Sequence, residues 1–440
     1  MNSATIYRLL KRFLVLVVSR LAGALAIFTV NLLVARHAGL ETLGSYAIFA
    51  SLVSILTICL PVGFNSIATI FSTEYSTTQN TGMLKGFVQT ALFHIAVVTG
   101  SLLFVSILAY YLVPDLLSSM DLGFCLGVII AGCGGALLNL NSAVKTGLNQ
   151  QLSGLLPETL ARPLLMLSGI LIVFEFGSAT GIFEIIWTAA LSSWLALLIV
   201  LIINSKFAKN IIATPALFDL KRWKSASYPW MATSLLWDYM IDLILLLSSV
   251  LLGAAEIAIL HICFRYRVLT GFGMRSIYTL LMPKITAHKF SGETDKMHRQ
   301  LIFANAGALI YSVCVMVGFL IFGEWLLSLF SSKISEGLPV LIIVSLTMVI
   351  RSAFGPAPII LAIHNLHYGT TLISLGGILI AIMTIFVFHQ NFGLIAVAAG
   401  YSLSNLFVSV CLWLYAMKRT GIDCSLFSVF KAHVNKTKLQ

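Results

Sequence analysis

Residues 235–269 read LLWDYMIDLILLLSSVLLGAAEIAILHICFRYRVL. Two apolar runs meet at a turn around Gly253, and each is long enough to cross a bilayer as a helix. Apart from Glu256 beside the turn, four charges sit inside those runs. Asp238 and Asp242 lie in the first, and Arg265 and Arg267 in the second. The rest of the 440-residue chain follows the same pattern, with 59% hydrophobic and 10% charged residues. A soluble domain carries roughly a quarter charged residues. The chain is therefore expected to be an all-α integral membrane protein. A transmembrane β-barrel would show short alternating segments instead, and no polar stretch is long enough for a separate soluble domain.

Twelve spans are expected, at 13–35, 45–70, 87–113, 122–144, 160–176, 182–204, 227–252, 255–281, 301–322, 338–362, 368–388 and 392–417. The first is too long for a signal peptide and has no small-residue cleavage site, so it reads as an uncleaved span. The seven cysteines show no CxxC spacing and mostly lie within apolar runs. They read as small packing residues. Nothing in the pattern suggests an enzyme, because every expected outside loop is too short to carry a catalytic site.

Lys and Arg gather on one side, as the positive-inside rule requires. With a cytoplasmic N-terminus, the inside segments hold Arg8, Lys11 and Arg12, then Lys85, then Lys145 and Arg162. They continue with Lys206 to Lys224, Lys284 to Arg299, and Lys418 to Lys438. The outside loops hold Arg36 and Lys333. Most of the +11 net charge is thus an orientation signal, and no nucleic-acid partner is expected. Both termini are expected in the cytoplasm.

The longest polar connection divides six spans from six. Landmarks recur across it: GLETLGSYAIFA from Gly39 and GAAEIAILHICF from Gly253, then a cytoplasmic link from Phe71 and another from Met282. This repeat predicts a six-helix lobe at 1–204, a cytoplasmic linker at 205–226, a second six-helix lobe at 227–420 and a basic tail at 421–440. Such halves bind substrate between them and work by rocking.

Five arginines fall inside the expected spans: Arg20, Arg265, Arg267, Arg275 and Arg351. Two acids join them, Asp238 and Asp242. Each such group costs about 2.5–3.5 kcal/mol on insertion scales, so each needs a cavity or a partner. The excess of arginine suits an anionic substrate, because the guanidinium fork grips two phosphate oxygens at once. Arg265 and Arg267 are about 200° apart around a helix and cannot both face one cavity. Asp238 and Asp242 are about 40° off a common face on a continuous helix. They read as a site for a coupling ion, H⁺ or Na⁺, or as counter-ions for arginine. No other cofactor or metal is expected.

The chain resembles the polysaccharide repeat-unit (O-antigen) flippases of the multidrug/oligosaccharidyl-lipid/polysaccharide exporter superfamily. The resemblance rests on VARHAGLETLGSYAIFASL at 34–52, PVGFNSIATIFSTEY at 61–75, the stretch from Trp237 to Leu269, and LLMPKITAHKFSGETDKMHR at 280–299. Arg20, Gly39, Gly44, Asp242 and Pro283 stand at its recurring positions. It implies twelve helices in two six-helix lobes around a central cavity. It also implies transfer of an undecaprenyl-pyrophosphate-linked oligosaccharide from the cytoplasmic to the periplasmic leaflet of a bacterial inner membrane, as part of O-antigen or lipopolysaccharide synthesis. Membrane lipids, a polysaccharide polymerase and a chain-length regulator are its implied partners. The alternative reading is a cation-coupled multidrug antiporter on the same fold.

Overall fold

An apolar run in lipid must satisfy its own backbone N–H and C=O groups, and a helix does so within one segment. The computed structural model describes residues 3–112, 121–177, 181–212, 214–290, 294–364 and 366–426, and these are helical almost throughout. Eleven of the described helices are long and apolar enough to cross a membrane, and a bent pair brings the number up to twelve. The elements are α1 (Ser3–His37), α2 (Leu40–Cys59), α3 (Phe64–Thr77), α4 (Thr81–Leu112) and α5 (Leu122–Gly147). Next come α6 (Gln151–Phe176), α7 (Ile182–Ile212), α8 (Leu220–Trp237), α9 (Met240–Ser249) and α10 (Ala254–Phe290). The last are α11 (Thr294–Ser328), α12 (Leu338–Phe354), α13 (Ala357–Ile363), α14 (His367–Phe392) and α15 (Leu394–Thr420).

The chain forms two compact units, Met1–Leu246 and Leu247–Gln440, and the division falls inside α9. In the first unit α5 is central, with α2, α3, α4 and α7 packed around it. Its core centres on Phe64, Phe71, Phe87 and Trp223. Trp223 is fully buried, donates to Tyr75 Oη at 2.7 Å and meets Phe87 edge-on. Arg222 beside it grips Glu74 through two 2.8 Å bonds. The start of α8 is thus anchored to α3 by one buried ring and one surface ion pair. In the second unit α10, α11 and α12 pack together, and α14 and α15 form a closely packed pair joined to it through α12.

Four expected spans differ in the structure, each for a local reason. Span 45–70 is interrupted after Cys59 by a turn containing Pro61, with Val62 and Gly63 at positive φ. Span 227–252 begins earlier and is bent by 65° between Trp237 and Met240. No proline or glycine lies at that bend. Asp238 and Tyr239 are weak helix formers, and a carboxylate at 242 suits the first turn of a new helix. Asp238 and Asp242 therefore do not share a face of one continuous helix. Span 338–362 breaks at Gly355, which has φ of +73°, followed by Pro356.

The fourth difference matters most. Span 160–176 starts at Gln151, so helix runs through the whole of LPETLARP, of which only the last four residues lay within the expected span. Pro157–Ala161 forms a π-turn, in which the Arg162 N–H bonds to Pro157 O, five residues back. Pro163 has no N–H to offer Thr159 O. That carbonyl instead faces α1 at Gly23, where a Cβ would stand 1.8 Å from it. Packing against a neighbouring helix is how membrane helices tolerate such prolines.

Residues 421–426 form no helix but dock as an irregular segment on the second unit. Asn305 Nδ2 donates to Cys424 O, and Leu426 N donates to Ala353 O at 3.0 Å. Asp423 accepts from Trp413 Nε1 at 2.9 Å. Gly355 is needed here, since a Cβ would stand 2.0 Å from Cys424 O. Burial pushes the Cys424 thiol up to about 12. Tail residues 427–440 lie outside the described residues.

Candidate functional site

Each unit carries a polar group of side chains within its candidate spans. In the first unit the bend of the seventh span is the focus. Asp238 closes α8, its N–H bonded to Ser234 O at 2.8 Å. Asp242 lies in the first turn of α9, where free N–H groups and the helix dipole favour a carboxylate. Its Oδ1 accepts from Ser51 Oγ of α2 at 3.0 Å. Ser234 pairs with Ser66 of α3 at 3.1 Å. Asp238 is exposed and Asp242 half-buried.

Tyr239 stands at the bend itself, within the electrostatic field of Glu158, Asp238 and Asp242. Glu158 comes from the π-turn of α6, about 10 Å along the helix from Gln151, and Arg162 lies about 16 Å along it. Glu158 Oε1 accepts from Asn139 Nδ2 of α5 at 3.2 Å. Arg162 is half-buried and lies in the field of Glu158, Tyr46 and Tyr239. Its Nη1 comes 3.7 Å from where a Cβ on Gly135 would stand. Sequence reasoning placed Arg162 in a cytoplasmic loop and gave Glu158 no role. The signal that could have found them is the pair of prolines flanking two opposite charges one turn apart.

In the second unit α10 carries Arg265 and Arg267. Arg265 Nε donates to His261 Nε2 at 3.2 Å, so that nitrogen of the buried His261 accepts. Arg267 points elsewhere. Its guanidinium packs over the Tyr401 ring of α15, 5.6 Å from the centroid, and Tyr401 itself meets Phe264 edge-on at 5.1 Å. Arg267 Nε is buried and has no hydrogen-bond partner among the described residues. Arg351 lies in the last turn of α12, in the field of Tyr278 of α10. Tyr278 in turn donates to Asn305 Oδ1 at 3.2 Å. Arg351 and Cys424 of the docked tail thus both act on Tyr278. Within the second unit, neither Arg265 nor Arg267 meets a carboxylate among the described residues.

Arg20 is exposed on α1 in the first unit, one turn before Gly23. The side chain of Arg275 lies outside the described residues. The expected site residues thus divide by unit, with Arg20, Asp238 and Asp242 in the first and Arg265, Arg267 and Arg351 in the second. Among the described residues no three His, Cys, Asp or Glu side chains cluster as a metal site.

A multi-pass helical membrane protein of two units is the class that this arrangement defines. No protein-family model matches the chain, and no curated protein matches it. Solved structures do match. The inward-facing structure of a multidrug resistance MATE family transporter of the MOP superfamily matches with a TM-score of 0.74 at 14% identity, over 90% of this chain and 94% of that one. A MOP superfamily transporter from Pyrococcus furiosus Vc1 (DSM3638) matches at TM-score 0.62 and 14% identity, over 91% and 94%. It is described as having a binding pocket of reverse polarity that suggests a different function. MATE in the straight conformation matches at 0.61 and 14%, over 91% and 93%. The fold of this chain is the one found in these transporters.

Proposed function

We propose that the protein is a flippase for an anionic lipid-linked oligosaccharide, in which span arginines hold the pyrophosphate. One observation carries this reading. Arg267 sits in a candidate span, stacked on Tyr401, with a buried Nε that lacks a partner among the described residues. A guanidinium held on an aromatic face is oriented yet keeps donors for a phosphate. Arg265, Arg351, Arg20 and Arg275 are proposed to share the anion at different stages. The substrate class is an undecaprenyl-pyrophosphate-linked repeat unit of a surface polysaccharide, moved between leaflets of a bacterial inner membrane. A polymerase and a chain-length regulator would then act downstream. Asp238 and Asp242 are proposed to bind the coupling ion, H⁺ or Na⁺.

A second reading, a cation-coupled multidrug antiporter, is favoured by the carboxylates Glu158, Asp238 and Asp242 around Tyr239. Reconstituted vesicles separate the two. Under the flippase reading, Arg267→Gln abolishes translocation of a pyrophosphate-linked glycolipid, and the wild type does not move ethidium. Ethidium efflux that survives Arg267→Gln, without glycolipid transfer by the wild type, would establish the antiporter.

A further inference from the structure

We infer that Arg162 is an oxyanion-binding residue of the first unit, with Glu158 as its resident counter-charge. The inference rests on the reading that the substrate carries phosphate, and it adds a site in the other unit.

Arg162 lies well inside the candidate span Gln151–Phe176. A guanidinium has five N–H donors and is always charged. Among the described residues, Arg162 makes no side-chain hydrogen bond and no ion pair. The polar groups near it bond to other partners. Glu158 accepts from Asn139, and Thr57 Oγ1 donates to Val53 O at 2.9 Å. Arg265 and Arg267 differ, since one has His261 and the other Tyr401. Native proteins rarely leave such donors without acceptors, and an uncompensated charge away from water is costly. Its acceptor is therefore supplied from outside the fold, by solvent or by an anion that displaces it.

The local build fits an oxyanion. Gly135 of α5 lies beside Nη1, a Cβ there standing 3.7 Å from it and 2.7 Å from Thr57 Oγ1, and Arg162 is half-buried. Glu158 is near enough to act on Arg162 electrostatically but too far to bond its donors. Its field offsets the guanidinium charge without filling the fork. A phosphate-type anion with two oxygens in plane would fill it, while Glu158 keeps its bond to Asn139. The π-turn that carries both residues is a feature often found at functional sites.

The test uses the full chain in nanodiscs. Inorganic pyrophosphate and farnesyl pyrophosphate are titrated by calorimetry into the wild type, Arg162→Gln, Glu158→Gln and Arg267→Gln, with thermal melting as the folding control. Arg162→Gln should weaken binding at least about tenfold, as expected for loss of a bidentate charged contact. Glu158→Gln should tighten it severalfold by removing the competing charge. Should Arg162→Gln fail to fold, wild-type protein is treated with phenylglyoxal, and pyrophosphate should protect Arg162 as read by mass spectrometry. Unchanged affinity in Arg162→Gln, or no protection, overturns the inference. Unchanged or weaker affinity in Glu158→Gln overturns the counter-charge role. Tighter binding of farnesyl pyrophosphate assigns the anion to a lipid headgroup, and equal binding assigns it to a free phosphate. If Arg162→Gln binds like the wild type while Arg267→Gln binds weakly, this inference fails and the flippase reading stands. The reverse result keeps Arg162 and removes the anion role of Arg267. No binding of either probe to the wild type overturns both.

Discussion

Ser51 and Asp242 are joined by a 3.0 Å hydrogen bond across 191 residues of chain. That bond ties the second expected span to the seventh, just past the bend. Asp242 thereby belongs to the packing of the first unit, although the sequence repeat assigns its span to the second half. Ser51 is itself fully buried, so loss of its partner leaves a hydroxyl stranded.

Asp242→Asn keeps an acceptor for Ser51 and removes the charge. It should melt within about 1 kcal/mol of the wild type while abolishing any dependence of transport on Na⁺ or pH. Ser51→Ala should do the opposite, losing about 1 kcal/mol of stability and retaining the ion dependence. Thermal melts and vesicle transport at varied Na⁺ and pH check both. Loss of ion dependence in Ser51→Ala alone would count against Asp242.

The Arg267–Tyr401 contact predicts a graded series. Tyr401→Phe keeps the aromatic face and should retain pyrophosphate affinity. Tyr401→Leu removes the face and should lose about 0.5–2 kcal/mol of binding, read by calorimetry. Equal loss in both variants would show that the phenol, and not the ring face, orients the arginine.

Gly23 has no space to grow. Gly23→Ala would place a methyl group on Thr159 O, and overpacking of this kind costs about 1–3 kcal/mol. Because the contact is backbone to backbone, no side chain can rotate away. The expected outcome is a lower melting temperature and poor recovery from detergent. Gly100→Ala should be far milder, since nothing lies near the added carbon.

The two anchors of α8 should differ in weight. The Arg222–Glu74 side chains are 50% and 35% exposed, and exposed pairs contribute roughly 0–1 kcal/mol. Trp223 is fully buried, and truncating such a ring costs about 3–5 kcal/mol. Chemical denaturation of Arg222→Ala and Trp223→Ala should reproduce that order.

Cys424 supplies a pH-linked test. Burial is the largest cause of its raised pKa, with Asp423 adding to it. A thiol raised in this way stays protonated when folded, so its contribution is intact below the unfolded thiol range near 8.5 and is lost as pH rises from there through the folded value of about 12. Maleimide should therefore leave Cys424 unlabelled at pH 8 in the native protein. Asn305→Ala removes the donor to Cys424 O and should raise labelling at least about tenfold, the factor that 1.4 kcal/mol of local opening produces. Peptide mass spectrometry reads the result. Equal protection in the variant would show that Asn305 does not hold the tail.

Much of this architecture is legible in the sequence because composition and span length are one-dimensional properties. The runs around 182–204 and 392–417 coincide closely with helices for that reason. Gly39 and Gly253, read as a repeat, each precede a helix, at Leu40 and Ala254. What escaped reading depends on neighbours. LPETLARP resembles a loop until a second helix offers Gly23 to the freed carbonyl of Thr159. The bend at Trp237–Met240 contains no breaker, and it stands where Ser51 and Ser66 supply partners from other helices. The opposite directions of Arg265 and Arg267 followed from helical rotation alone. Their partners did not, because Tyr401 lies more than a hundred residues away.

The clasp of Asn305 on Cys424 also sets an order of events during synthesis. Asn305 is made early in the second unit, while its acceptor leaves the ribosome only after α12 and α15 have been threaded into the bilayer. The end of the helix that bears Arg351 is thus finished by a late-arriving segment. Tags fused close behind Leu426 would stand where that segment must seat, so a purification handle belongs at a distance from it.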